Sequence, residues 1–105
     1  MVDSKDFIIK DIQRYLVELK KHGIPVQRAL LFGSWARGYP GEGSDVDVAL
    51  ISQSFSGDRF EDRRKIVPFR RMINSRIEPI PFTPQDFEMG GNLVDEILQH
   101  AEEIV

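Results

Sequence analysis

Asp45 and Asp47 bracket Val46 at the head of an apolar run that continues through Val48, Ala49, Leu50 and Ile51. Side chains on a β-strand alternate between faces, so this spacing turns both carboxylates one way and sends Val46 into a core. Two neighbouring carboxylates repel one another unless a cation lies between them. An oxygen-only pair of this kind suits magnesium, which keeps several waters and shares its shell with substrate phosphates. Taken alone, the pair reads more readily as a solvated strand start, because acidic residues are mostly exposed.

It does not stand alone. Ala29, Leu30, Leu31 and Phe32 form a short continuous apolar run, the pattern of a strand buried on both faces. Gly33-Ser34 interrupts it. Glycine lets a backbone approach a ligand closely, and amides of a turn that opens a helix point at anions. Ser34 to Arg37 can form such a first helical turn, with Ser34 as its cap. Gly38, Tyr39, Pro40, Gly41 and Gly43 keep the following segment irregular. No Lys-Ser or Lys-Thr follows the glycines, which excludes a Walker A loop. Gly41-Glu42-Gly43 lacks the third glycine and the helix of a dinucleotide fingerprint. Arg37 is the one basic residue between Ala29 and Asp58. It is either a solvated surface residue or a guanidinium clamp on a phosphate.

The whole stretch resembles the nucleotidyltransferase superfamily of DNA polymerase beta. The carriers are the apolar strand, Gly33-Ser34, the spacer from Trp35 to Ser44, and Asp45-Val46-Asp47 with apolar flanks. GSWARG followed by SDVDVAL is most similar to the minimal nucleotidyltransferases, the small prokaryotic members. The resemblance implies an α/β (α+β) fold: a small mixed β-sheet with helices packed on it, one domain across residues 1–105. It implies transfer of a nucleoside monophosphate from a nucleoside triphosphate, with ATP as donor, to an acceptor hydroxyl, releasing pyrophosphate. In that scheme Gly33 amides and the Ser34 hydroxyl hold phosphates, with Arg37 and Ser44 as further nucleotide-binding candidates. Asp45 and Asp47 bridge two Mg2+ ions. Glu78, on a later strand, matches the place of the family's third carboxylate, where Asp is usual. Trp35 departs from the basic or polar residue common there; it packs under the loop, stacks on a base, or meets a partner. Small chains of this kind accompany HEPN-family proteins in toxin–antitoxin pairs. That makes a HEPN-type protein the expected partner and acceptor, and neutralisation by contact alone, with a degenerate site, the alternative.

Composition narrows the setting. The chain has 105 residues, 41% hydrophobic and 30% charged, which is ordinary for one globular domain. A net charge of −3 argues against bulk nucleic-acid binding. There is no room for the extra helical domain with which larger relatives grip nucleic acid. No apolar run nears the ~18 residues of a membrane span, and MVDSKDFIIKDI reads as helix rather than signal peptide. Zero cysteines exclude disulfides and thiolate metal sites, so a cytoplasmic protein is expected. Charge is nevertheless split. Residues 59–76 carry seven Lys or Arg against two acids, whereas 86–105 carry six acids and no Lys or Arg. The arginines Arg63, Arg64, Arg70 and Arg71 mark a docking surface for a partner or, in self-association, for the acidic helix of a second copy.

The remaining elements follow from periodicity. Asp3 or Ser4 caps a first helix to about Lys21, with Ile8, Ile12, Tyr15, Leu16 and Leu19 as its stripe. His22 is a helix-end residue, and Gly23 and Pro25 stop the helix. A helical segment from about Asp58 to Asn74 should kink or split at Pro68. Its apolar candidates are Phe60, Ile66, Val67, Phe69, Met72 and Ile73. Arg76 to Phe82 reads as a third strand, placed at a sheet border or ending at Pro79, because Pro79 and Pro81 lack amide donors. Thr83-Pro84 opens a short helical turn through Phe87. Asn92 caps a last helix with Val94, Ile97, Leu98, Ala101, Ile104 and Val105 inward and His100 solvated among acids.

Overall fold

The computed structural model describes residues 4–41 and 43–105. In chain order the elements are α1 (Lys5–Lys21), β1 (Arg28–Phe32), α2 (Ser34–Arg37), β2 (Val46–Ile51) and α3 (Arg59–Ile66), then a 3-10 segment (Val67–Met72), β3 (Ile77–Phe82), α4 (Pro84–Met89), α5 (Asn92–His100) and β4 (Glu102–Glu103). The sheet has strand order β3-β2-β1-β4. β1 runs antiparallel to β2 and to β4, whereas β2 and β3 are parallel. The expected small mixed sheet with helices packed on it is therefore what the chain forms.

Two apolar layers sandwich the sheet. On one face, Ala29, Leu31, Val46, Val48, Leu50 and Ile77 meet Ile8, Ile12, Tyr15 and Leu19 of α1 together with Ile66 of α3. On the other, Leu30, Phe32, Ala49, Ile51 and Phe82 meet Phe87 of α4 and Val94 and Ile97 of α5. Each such Val, Leu, Ile or Phe side chain contributes about 1.5–3 kcal/mol by leaving water. The two-residue alternation is what matters for function. Val46 and Val48 go to the α1 layer, so Asp47 between them faces the α4–α5 side.

Local chemistry sets the element ends. The Ser4 hydroxyl accepts from the Phe7 amide and caps α1; the other candidate cap, Asp3, lies outside the described residues. Pro68 splits the expected long helix into α3 and the 3-10 segment. Within it Phe60 and Met72 are exposed rather than inward. Asp62 is buried instead, accepting from the Ser56 amide and hydroxyl and the Gly57 amide. Thr83 caps α4, which runs on to Met89, past the expected end at Phe87.

Three expectations need correction. Gly33 is the N-cap of α2, so Ser34 is its first residue and not its cap. Gly91 likewise precedes α5, which begins at Asn92. The last helix also ends at His100, not at the chain end. Beyond it Glu102 and Glu103 pair with Leu31 and Leu30 of β1. The physical cause is the open edge of β1. The Ile104 amide donates to the Ala29 carbonyl at 2.7 Å, and the Ala29 amide donates to the Val105 carbonyl at 3.2 Å. Unpaired strand groups take partners that a helix end leaves in solvent. Among the described residues no helix is long and apolar enough to cross a membrane.

Candidate active site

Phe32, Asp47 and Glu78 stand side by side across β1, β2 and β3, each in register with the next. This row lies at the end of the sheet where β1 runs into Gly33 and where β2 begins. Asp45 sits one residue before β2, at the same rim, and is exposed.

Gly33 closes directly on this row. Its φ of 73° and ψ of −153° fall where glycine alone is comfortable. A Cβ at this position would collide with Oδ2 of Asp47 and stand only 3.3 Å from its Cγ. The turn and the carboxylate thus form one surface, with no side chain between them. The Gly33 carbonyl takes the Arg37 amide, and Gly38, left-handed at φ 85°, ends α2. The Ser34 hydroxyl is not engaged in capping.

Electrostatics mark Asp47. Partial burial pushes its carboxyl above the ordinary carboxylate range; the charge of Asp45 and then that of Glu78 push the same way. Burial and like charge both disfavour the ionised form. Glu78 goes the other way. Its partial burial alone would raise it, but hydrogen bonds from Arg70 and Arg63 and their charges outweigh this and hold it low. Arg70 Nη1 lies 2.6 Å from Glu78 Oε1, and Arg63 Nη2 lies 2.8 Å from Oε2. Among the described residues no three His, Cys, Asp or Glu side chains converge as a ready metal site. Asp45 and Asp47 are oxygen donors of the kind that magnesium takes.

The other candidates fall around this centre. Arg37 is exposed and lines a cleft of ≈170 Å³ with Phe32, Gly33, Asp47 and, from α5, Glu96, Ile97, Gln99 and His100. Ser44 closes the loop: its hydroxyl accepts from the Gly41 amide at 2.7 Å. Trp35 is buried in the α1 layer, with its indole nitrogen 3.5 Å from the Ser44 carbonyl and the Arg76 guanidinium over its ring. Of the three places open to it, Trp35 takes the one under the loop.

Sequence reasoning missed two sets of residues. Glu96, Gln99 and His100 line the cleft because α5 packs on β1, a long-range contact without a local signal; His100 was expected merely to be solvated. Arg63 and Arg70 face Glu78, whereas both were grouped with an outward docking surface. The density of arginines in 59–76 was the available signal, but only the packing of α3 beside β3 separates these two from Arg64, which pairs with Glu61.

A mixed-sheet α/β protein with a glycine turn seated on a strand carboxylate is the class that this geometry defines. Residues 9–102 match the family described as the nucleotidyltransferase domain, and the chain belongs to that family. No curated protein sequence matches it significantly. Among solved structures it is similar to a Sulfolobus solfataricus protein described as a nucleotidyltransferase, at 16% identity and a TM-score of 0.68, covering 94% of this chain and 80% of that one. It is also similar to a chain of a toxin–antitoxin solved with AMP-PNP, at 18% identity and a TM-score of 0.57, covering 88% and 71%. A third likeness, at 15% identity, TM-score 0.52 and 98% and 73% coverage, is to a chain of the toxin–antitoxin MntA-HpeT. That structure is of a variant with two aspartates, two positions apart, changed to glutamate. At these identities the three likenesses speak to the fold.

Proposed function

We propose that the chain is a magnesium-dependent nucleotidyltransferase that moves AMP from ATP onto a hydroxyl of a partner protein in the cytoplasm. The observation that carries this reading is the close approach of the Gly33 turn to Asp47, which brings the turn backbone and a partly buried carboxylate onto one surface. Asp45 and Asp47 would hold the metal. When bound, magnesium neutralises the triphosphate and stabilises the attacking and leaving oxygens of an in-line displacement. The Gly33–Ser34 backbone and the Ser34 hydroxyl receive the outer phosphates, and Arg37 lies one helical turn on, able to clamp them. The α5 wall shields one side of the cleft from water.

The expected two ions and the role of Glu78 as third ligand belong to the same proposal. The paired arginines on Glu78 are what must yield for the carboxylate to serve. A separate protein of HEPN type as acceptor is supported by the toxin–antitoxin likenesses. Homo-oligomerisation is the alternative assembly. Incubation with labelled ATP, magnesium and the partner, read by intact mass, tests the reading. The expected result is a gain of whole AMP units on the partner, absent with Asp47→Asn. A partner that stays unmodified under these conditions refutes it.

One observation favours a second reading, that of a contact-only antitoxin. Glu78 is engaged by two arginines, one on each oxygen. Neutralisation of the partner that survives Asp45→Ala and Asp47→Ala would select it.

A further inference from the structure

Glu78 has the register of a site residue and the contacts of a structural one. Both of its oxygens are taken, one by each guanidinium, at 2.6 and 2.8 Å. Charge-assisted bonds of this length are strong; each oxygen keeps a second lone pair, but the two guanidinium charges fix the carboxylate's orientation and oppose a cation beside it. The two arginines are not equivalent. Arg70 is anchored: it also donates to the Ile77 carbonyl at 2.8 Å, and its side chain is only 22% exposed. Arg63 stands on α3 with 44% of its side chain exposed and only Glu78 as its ion-pair partner among the described residues. The neighbouring Asp47, next in register, has like charges beside it and no ion-pair partner among the described residues.

We propose that Arg63 and Arg70 are positioning residues that clasp Glu78 away from the metal in the free protein, and that Arg63 is the half that lets go when a nucleotide arrives. The driving force is competition. A triphosphate brings several negative charges to the rim, and an exposed guanidinium exchanges one carboxylate oxygen for phosphate oxygens at little loss. Arg70 stays as the anchor. Glu78 then swings with one oxygen free toward Asp47, where the metal carried by Asp45 and Asp47 supplies the attraction. The metal shell is completed only in the nucleotide complex, so the free protein does not hold a fully formed site. The inference rests on the metal-dependent transfer reading above.

Mn2+ binding to the purified chain, measured by electron paramagnetic resonance without nucleotide and again with AMP-PNP, tests the clasp apart from activity. Without nucleotide, Arg63→Gln should bind Mn2+ about tenfold tighter than wild type, because ligand charge count sets affinity. Arg63→Lys, which keeps the charge, should stay near wild type. The gain should vanish in the Arg63→Gln, Glu78→Gln double variant. If it persists there, the effect is the loss of a positive charge in general, and the clasp is overturned. Glu78→Gln alone should weaken Mn2+ binding about tenfold only in the AMP-PNP complex; an equal loss without nucleotide also overturns it. The two readings separate cleanly. Binding that Asp47→Asn abolishes but Arg63 does not affect removes the clasp alone, whereas no Mn2+ binding by any variant removes the transfer reading and the clasp with it.

Discussion

At Gly33 one atom decides both backbone and chemistry. The alanine methyl would need a conformation that costs of order 1–3 kcal/mol and would meet the Asp47 carboxylate. Gly33→Ala should therefore lower the melting temperature by roughly 4–8 °C per kcal/mol lost and remove ATP binding, as thermal melts and calorimetry will read. Asp47→Asn acts in the opposite sense on stability. The folded-state pKa of Asp47 is raised, so its ionised form opposes folding above that value, and the opposition fades as pH falls through it. In metal-free buffer at pH 7 the Asn variant should melt higher than wild type while transferring nothing. That gap should close as pH is lowered through the carboxylate range. Glu78 has the reverse sign. Its lowered value means that the arginine bonds contribute stability above the ordinary carboxylate pKa and lose it as pH falls through the folded one. Those groups are a third or more exposed in part, so the contribution is about 1 kcal/mol or less. A wild-type melt that rises monotonically from pH 7 to pH 3 would contradict the Glu78 assignment.

Among the elements, β4 was the least legible. Ala101, Ile104 and Val105 extend the spacing begun by Ile97, so periodicity alone continues the helix. What ends it is the bare edge of β1, which belongs to a segment some seventy residues earlier. The strand that carries Asp47 and the Gly33 turn were readable for the opposite reason, since alternation and glycine are local rules, although β2 begins at Val46 and leaves Asp45 just outside it. Pro68 was equally local, and the helix splits there. Phe60 and Met72 were misread because the segment turns only Ile66, with Phe69 and Ile73 beside it, into the core, while Arg63 and Arg70 reach Glu78 on β3. The β4 pairing makes its own prediction. Ile104→Pro deletes the amide that donates to the Ala29 carbonyl at 2.7 Å and should cost about 1–3 kcal/mol. Hydrogen exchange should then show the β1 amides opening faster while the parallel β2–β3 pair stays protected. Uniform exchange across the sheet would show instead that β4 is not a separable unit.

For the whole molecule, charge is the controlling variable. A chain of net charge −3 with uncompensated carboxylates at its rim should bind ATP weakly in EDTA and at least about tenfold more tightly with magnesium, because the ion inverts the local sign. Calorimetry under both conditions reads this directly, and equal affinities would remove the metal from the site. Arg71 is exposed, as is Arg64 with its pair to Glu61, whereas Arg63 and Arg70 hold Glu78 in the free protein, so a charge-reversal test of docking belongs on the first two. The sheet itself restricts how that partner can attach. In β3 the carbonyls of Arg76 and Phe82 accept from Val46 and Ser52, so the even-numbered residues bond inward and the odd-numbered ones face out. The outward positions are Ile77, whose amide already donates to Asn74, and Pro79 and Pro81, which have no amide. From 77 to 82 the free margin of the sheet offers an incoming strand no donor at all. The opposite margin is the two-residue β4, with glutamates at both positions. A chain built this way resists growth by strand addition, the route by which sheets seed fibrils. It leaves side-chain recognition as the means of assembly, and side-chain recognition is the kind that a single charge, or a single transferred nucleotide, can cancel.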